Sequence, residues 1–336
     1  MKIKDNSYIP EQVVLEVTNV CNFACQGCIV HGPQKSATRL RGFMPESVWR
    51  SAIDQIASWN KPISLMTHGA GEPLLHPQLQ KIITYASQYS YLKTGFLTNG
   101  MRLNEAWIEF ILSSDMDWIC FSIDGIDPNT HAKVRPGSDL VLIEKNLSKF
   151  LEIRHKKYGG KLRVLLNMVG YAEVAVQIPS FIDRWLGKVD TVFISYHRNP
   201  PQSRRFPSVS THRKPCHLLW KQMVIAWDGR LGMCCEDFNI DYCLGHLNSN
   251  LLHTWNHGQI SDWRSQHMGG NFTHPMCQIC DTWDDATIQL EEKFPELGYR
   301  VAARASQIEF IAIDLSKLKV DMNYVRCLVQ RLGFTK

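Results

Sequence analysis

The sequence has 336 residues, 44% of them hydrophobic and ten of them tryptophan, enough to bury one large core and a smaller satellite, which excludes a single-core peptide or a disordered tail. Lys plus Arg exceed Asp plus Glu by only 37 to 32, spread along the chain rather than gathered into an arm, so a nucleic-acid partner is not indicated. The N-terminal MKIKDNSYIPEQVV has no apolar h-region and no apolar run is long enough to span a bilayer, which predicts a soluble, cytoplasmic protein with no membrane partner.

In chain order, β-branched runs predict strands at 13–18 (VVLEVT), 63–69 (ISLMTHG), 93–98 (KTGFLT), 118–124 (WICFSID), 162–170 (LRVLLNMVG) and 190–196 (DTVFISY). Amphipathic stretches lie between them. Pro45 opens one over 45–59 with Val48, Ile53, Ile56 and Ala57 on one face, and Asn104 is the expected cap of a helix carrying Trp107, Ile108, Ile111 and Leu112. Six strands separated by helices predict parallel βαβ units wound right-handed. The expected fold is α/β, an open, partial (β/α)6 TIM-like barrel over 12–200, because six strands are too few for a closed eight-stranded one. Pro200, Pro201, Pro207 and Pro215, among scattered arginines, predict an exposed linker over 201–215. A second unit over 216–284 should contain two short strands joined by the turn Asp228-Gly229 and one helix around LLHTWNHGQISDWRSQ. Residues 285–336 offer helical and strand-like pieces but no assignable chemistry.

Eleven cysteines in a reducing compartment point to metal or redox chemistry rather than a disulfide framework. Cys21, Cys25 and Cys28 follow the first strand at once, on the strand edge where αβ barrels gather their active-site loops. Three thiolates leave one iron of a cubane cluster without a protein ligand, whereas a structural zinc wants four, for instance by recruiting His31. The Cys-x3-Cys-x2-Cys spacing resembles that of the radical S-adenosylmethionine (radical SAM) enzymes, and the resemblance implies that S-adenosylmethionine (SAM) chelates the open iron. Two further segments match the family in order. HGAGEP, with Gly69, Gly71, Glu72 and Pro73, resembles the family's GGEP motif, which receives the ammonium of the methionine moiety. FSIDG, with Ser122 and Asp124 on one face, resembles the motif that contacts the ribose hydroxyls. Asn99 in TNG, Arg135 in RPG and Asn167 on the fifth strand match pocket-lining places in relatives. Gly27 departs from the family, which usually has a bulky apolar residue just before the last cysteine, packed near the adenine.

Downstream, Cys216, Gly229-x4-Cys234 and Cys277-x2-Cys280 follow the order of the auxiliary-cluster domain called SPASM, or its shorter twitch form. Four thiolates also fit a structural zinc. The resemblance implies one auxiliary [4Fe-4S] cluster, fully ligated by protein, in addition to the SAM-binding [4Fe-4S] cluster. Only Cys327 follows the last pair, so a second auxiliary cluster is not expected. No HExxH pairing appears among the thirteen histidines, which are read as surface, packing or substrate-contact groups.

The implied activity is reductive cleavage of SAM to a 5′-deoxyadenosyl radical that abstracts hydrogen from an unactivated carbon, with a flavodoxin- or ferredoxin-type reductant. Epimerisation and dehydrogenation are the expected outcomes. Peptide cross-linking is an alternative, and a non-catalytic iron–sulfur or zinc scaffold is the alternative of another class. About a dozen residues precede the first strand, too few for a leader-binding domain, so the expected substrate is a small molecule of sugar or aminocyclitol type, or a short peptide. Cys235, on the opposite face from Cys234 if the segment is extended, is the leading hydrogen donor for an epimerisation; Cys243, Cys120 and Cys327 are lesser candidates.

Overall fold

Period-two burial, with Val13 and Leu15 inward, makes the first strand, β1 (Gln12–Leu15). It is followed by α1 (Glu46–Ser58), β2 (Ile63–Met66), α2 (Leu79–Ala86), β3 (Leu92–Thr98) and α3 (Glu105–Ser113). Next come β4 (Trp118–Ser122), α4 (Pro128–Val134), α5 (Leu140–Tyr158), β5 (Arg163–Gly170), α6 (Ile178–Trp185) and β6 (Thr191–Tyr196). The later segment holds α7 (Leu218–Lys221), β7 (Gln222–Ile225), β8 (Arg230–Gly232), β9 (Gly245–His246), α8 (Leu251–Asn256), α9 (Gln259–Met268) and α10 (Pro275–Gln278). Two strands follow, β10 (Tyr299–Arg304) and β11 (Gln307–Asp314). This computed structural model describes residues 8–171, 173–185, 187–196, 213–278, 280, 299–304 and 307–314. Cys327, most of the expected linker and most of 285–336 lie outside the described residues. All six expected strands form, alternating with helices in the order of a partial (β/α)6 barrel.

The chain divides into two compact units. The first comprises residues 1–21, 37–96 and 212–283. Within it β1 pairs parallel with β2, and β2 with β3. The other edge of β1 carries β7, also parallel, with Val13 opposite Met223. β7 returns antiparallel through β8 to β9, and Gly229, at φ 85°, supplies the left-handed residue that the Asp228-Gly229 turn requires. A strand from the segment expected to form a separate unit is therefore hydrogen-bonded to the first barrel strand. α1 buries Trp49, Ala52, Ile53, Ile56 and Ala57; of the expected face, Val48 is only half-buried, and Trp49 is buried beside it. The expected single helix near residue 251 is two, α8 and α9, broken at Gly258.

The second unit comprises residues 22–36, 97–211 and 284–336. Here β4, β5 and β6 are parallel, and Ser122 stands opposite Asn167. β11 adds antiparallel to β6 and β10 to β11, so part of the C-terminal extension is sheet. Asn104 caps α3 as its sequence predicts, its side-chain oxygen accepting the Trp107 N–H at 3.0 Å. Phe121, Phe150, Leu166, Phe181 and Ile194 lie at 0% exposure and mark the core. Among the described residues no helix is long and apolar enough to cross a membrane.

Candidate functional site

The cysteine loop straddles the division of the chain, Cys21 ending a segment of the first unit and Cys25 and Cys28 lying in the second. In the second unit the loop turns tightly. The Cys28 N–H donates to the Cys25 carbonyl at 3.0 Å and the Gly32 N–H to the Cys28 carbonyl at 2.8 Å. A Cβ at Gly32 would stand 2.3 Å from the Cys25 oxygen and 2.5 Å from the Cys28 oxygen, so glycine is obligatory for this turn. The end of α4 supports the loop, where the Val134 carbonyl accepts the Gln26 N–H and the Pro136 carbonyl the Ala24 N–H.

Arg135 follows α4 and is buried at 8% exposure. Its Nε donates to Asp124 Oδ2 at 2.6 Å, and one terminal nitrogen lies 3.9 Å from Cys25 Sγ. Asp124 is at 0% exposure, and its other oxygen accepts the Val169 N–H at 2.7 Å. Each carboxylate oxygen thus has a donor from within the protein. Burial pushes the Cys25 thiol up, while the Arg135 guanidinium pulls it back down. Tyr171, unassigned from sequence, is buried, and its Oη accepts the Gly27 N–H at 3.2 Å. Gly27, where the family has a bulky residue, is therefore flanked by a tyrosine from just beyond β5. Nothing in the spacing of the sequence marks Tyr171. Ser122 and Asn167, register partners on β4 and β5, are half-buried. Asn99 is buried at 6% exposure, bonding Asn22 Oδ1 through Nδ2 and the Met101 N–H through Oδ1.

In the first unit the HGAGEP segment packs against the chain that follows β1. A Cβ at Gly71 would meet the Val20 and Thr18 carbonyl oxygens at 2.5 and 2.6 Å, and the Glu72 N–H donates to the Val20 carbonyl at 2.8 Å. Gly69 is equally tight, its added Cβ falling 2.5 Å from Glu16 Cγ. Glu16 is buried in a pair with Arg39 and accepts the Ala70 N–H, which anchors the loop. Glu72 is buried, and one of its oxygens caps the single 3-10 turn opened by Pro73 by accepting the Leu74 N–H at 3.1 Å.

The second cysteine group, also in the first unit, converges. Cys216, Cys234, Cys277 and Cys280 line one cleft, together with Arg213, Cys235 and His267. Arg213, from the expected linker, donates to the Cys277 carbonyl at 2.6 Å. Burial pushes the Cys216 thiol up to about 11 and Cys277 to about 12, and holds Cys234 well above its usual value. Neutral thiols in the metal-free chain must therefore lose protons to bind metal. Among the described residues no three His, Cys, Asp or Glu side chains close around a single ion. Four thiols distributed around a cleft suit a cluster, whose irons spread the ligands apart, so the residues present fit that group. Residues 233–236 form a bend and turn rather than a strand, so the alternation expected of an extended segment does not apply there, and Cys235 lines this cleft with Cys234. Cys120 packs in the core of β4, and the Cys243 thiol bonds the Gly245 carbonyl.

The family profile of the radical SAM superfamily matches residues 15–174, and that of SPASM, described as an iron-sulfur cluster-binding domain, matches 216–281. An S-adenosylmethionine-dependent nucleotide dehydratase of Lacinutrix mariniflava is 28% identical over 169 residues, 48% of this chain, and the alignment spans only 33% of that relative's length. The crystal structure of BtrN in complex with AdoMet and 2-DOIA aligns with a TM-score of 0.57 at 16% identity, covering 82% of this chain and 94% of BtrN. Streptococcus suis SuiB bound to precursor peptide SuiA aligns with a TM-score of 0.63 at 14% identity, covering 85% of this chain and 73% of SuiB. These structural likenesses extend the shared fold to most of the chain. With its cysteine triplet inside the first matched segment and its four-cysteine cleft inside the second, the chain belongs to the radical SAM superfamily and carries a C-terminal SPASM-type iron–sulfur domain.

Proposed function

We propose that this protein uses SAM to break an unactivated C–H bond of a small molecule of sugar or aminocyclitol type, or of a short peptide, and that the outcome is oxidation. When bound, SAM and the two [4Fe-4S] clusters supply reductive cleavage of the sulfonium, hydrogen abstraction and an electron acceptor. Cys21, Cys25 and Cys28 hold the cluster that SAM completes; Cys216, Cys234, Cys277 and Cys280 hold the auxiliary one. The Gly69–Pro73 loop offers backbone groups and the Glu72 carboxylate to the ammonium of SAM. Ser122, Asn167 and Asn99 offer polar groups to its ribose and pocket. Asp124 holds Arg135, which lies against Cys25. A flavodoxin or ferredoxin would serve as reductant, and a chain whose described cysteines form no disulfide suits the cytoplasm.

The observation that carries this reading is the convergence of four cysteines on one cleft. A cluster with four protein ligands has no iron open to substrate, so electron exchange is the role left to it. Placement of Cys235 on that same cleft removes the geometric reason for making it a hydrogen donor, and dehydrogenation becomes preferred over epimerisation. The likeness to BtrN, solved with 2-DOIA, supports a small molecule, and that to SuiB, solved with a precursor peptide, keeps the short peptide as second reading. Anaerobically reconstituted and reduced with dithionite, the protein should convert SAM to 5′-deoxyadenosine and methionine, and Cys25→Ala should not. A wild-type protein that holds its iron yet leaves SAM intact would remove the enzymatic reading.

A further inference from the structure

His267, on α9, lines the cleft shared by Cys216, Cys234, Cys277 and Cys280 and is only 2% exposed. Its Nδ1 lies 3.2 Å from the backbone nitrogen of Cys216. A backbone N–H can only donate, so Nδ1 is the acceptor, and the neutral imidazole must carry its proton on Nε2. The tautomer is thus dictated by the main chain of a cluster ligand. Nε2, across the ring from that bond, is buried and has no hydrogen-bond partner among the described residues. Buried donors are rarely left unpaired, and the exceptions call for a ligand or an ion to complete them. The ring cannot easily turn away. It meets Phe272 edge-on, with centroids 5.0 Å apart and planes at 85°, and the Arg213 guanidinium covers Phe272 at 4.6 Å.

We infer that His267 donates its Nε2–H to a sulfur of the auxiliary cluster, and is thereby a positioning residue that raises that cluster's reduction potential. The inference rests on the proposed ligation of that cluster by the four cysteines. An N–H aimed at a cluster sulfur stabilises the additional negative charge of the reduced state, so the reduced form becomes easier to reach. The same ring holds the Cys216 backbone, which couples the place of one ligand to the electron affinity of the whole group. An auxiliary cluster made more oxidising in this way is a better acceptor for the electron that a dehydrogenation releases.

The test uses the full-length Cys21→Ala, Cys25→Ala, Cys28→Ala triple variant, in which only the auxiliary cluster assembles, with its midpoint potential read by EPR-monitored titration. In this background His267→Leu should move the potential to more negative values. His267→Gln should stay close to the parent, because its amide oxygen can accept the Cys216 N–H while its NH2 donates. With 15N-labelled histidine, electron–nuclear double resonance of the reduced parent should show a nitrogen coupling and an exchangeable-proton coupling; His267→Gln should lose the labelled-nitrogen coupling while its own amide keeps an exchangeable proton, and His267→Leu should lose both. An unchanged potential in His267→Leu, or equal shifts in the Leu and Gln variants, overturns the inference and leaves a packing role. If His267→Leu holds no cluster, the spectrum of the parent decides, and absence of the histidine coupling overturns it. A parent that binds no iron at Cys216, Cys234, Cys277 and Cys280 instead defeats the underlying ligand assignment, a different and recognisable failure.

Discussion

Asp124 shows how far a motif can be carried at the scale of one residue. FSIDG directs attention to it as a ribose contact, and in the structure its carboxylate accepts from Arg135 and the Val169 N–H. Breaking a buried ion pair leaves an uncompensated charge, at a cost of about 3–5 kcal/mol. Asp124→Ala should therefore lower the unfolding free energy by that amount in urea titration, with Asp124→Asn close behind, because the amide still leaves Arg135 without its counter-charge. If Asp124→Ala unfolds like the wild type and merely binds SAM more weakly, the carboxylate faces the co-substrate instead. The cysteines were legible because their spacing is a repeated chemical requirement. His267 and Tyr171 were not, since each is a lone residue brought to its cysteines by burial, with no spacing to announce it. The opposite-face argument for Cys235 does not apply for a related reason: two-residue alternation holds only in extended chain, and residues 233–236 turn.

Elements were legible where local pattern decides them. β-branched runs gave all six parallel strands, and Asn104 and Asp228-Gly229 marked a helix start and a hairpin turn. The partner of that hairpin was not readable, because β7 pairs with β1 across two hundred residues of chain and parallel pairing leaves no local sequence trace. The break between α8 and α9 was missed although its signal, Gly258, was in view, since a glycine inside a helical pattern is often tolerated. Gly258 has φ 67° and ψ −145°, a region close to that reserved for glycine, and an added Cβ would meet nothing within 4 Å. Backbone conformation alone is therefore at stake. Gly258→Ala should destabilise the protein by roughly 1–3 kcal/mol, read as a shift in the urea midpoint; a neutral result would mean that α8 and α9 can rejoin as one helix.

Across the whole molecule, buried neutral histidines set an acid limit. Burial holds both His68 and His131 down at about 4, against an ordinary value of 6.5. Above pH 6.5 both the folded and unfolded states are neutral at these rings and the full stability is present. Between about 6.5 and 4 the unfolded chain takes up protons that the folded chain refuses, so stability falls as pH falls, on the order of 2–3 kcal/mol for each ring. Unfolding free energies measured from pH 7 to 4 should decline, and His131→Gln should flatten the decline; an identical slope in that variant would show His131 to titrate normally. The central claim, that one chain holds two separate clusters on three and four cysteines, is tested most directly by iron and sulfide analysis after anaerobic reconstitution. Two four-iron clusters predict about eight irons in the wild type, about four in the Cys21, Cys25, Cys28 triple alanine variant, and about four in the variant lacking Cys216, Cys234, Cys277 and Cys280. A wild type with about four irons and one zinc, the zinc lost with the second cysteine group, would contradict it.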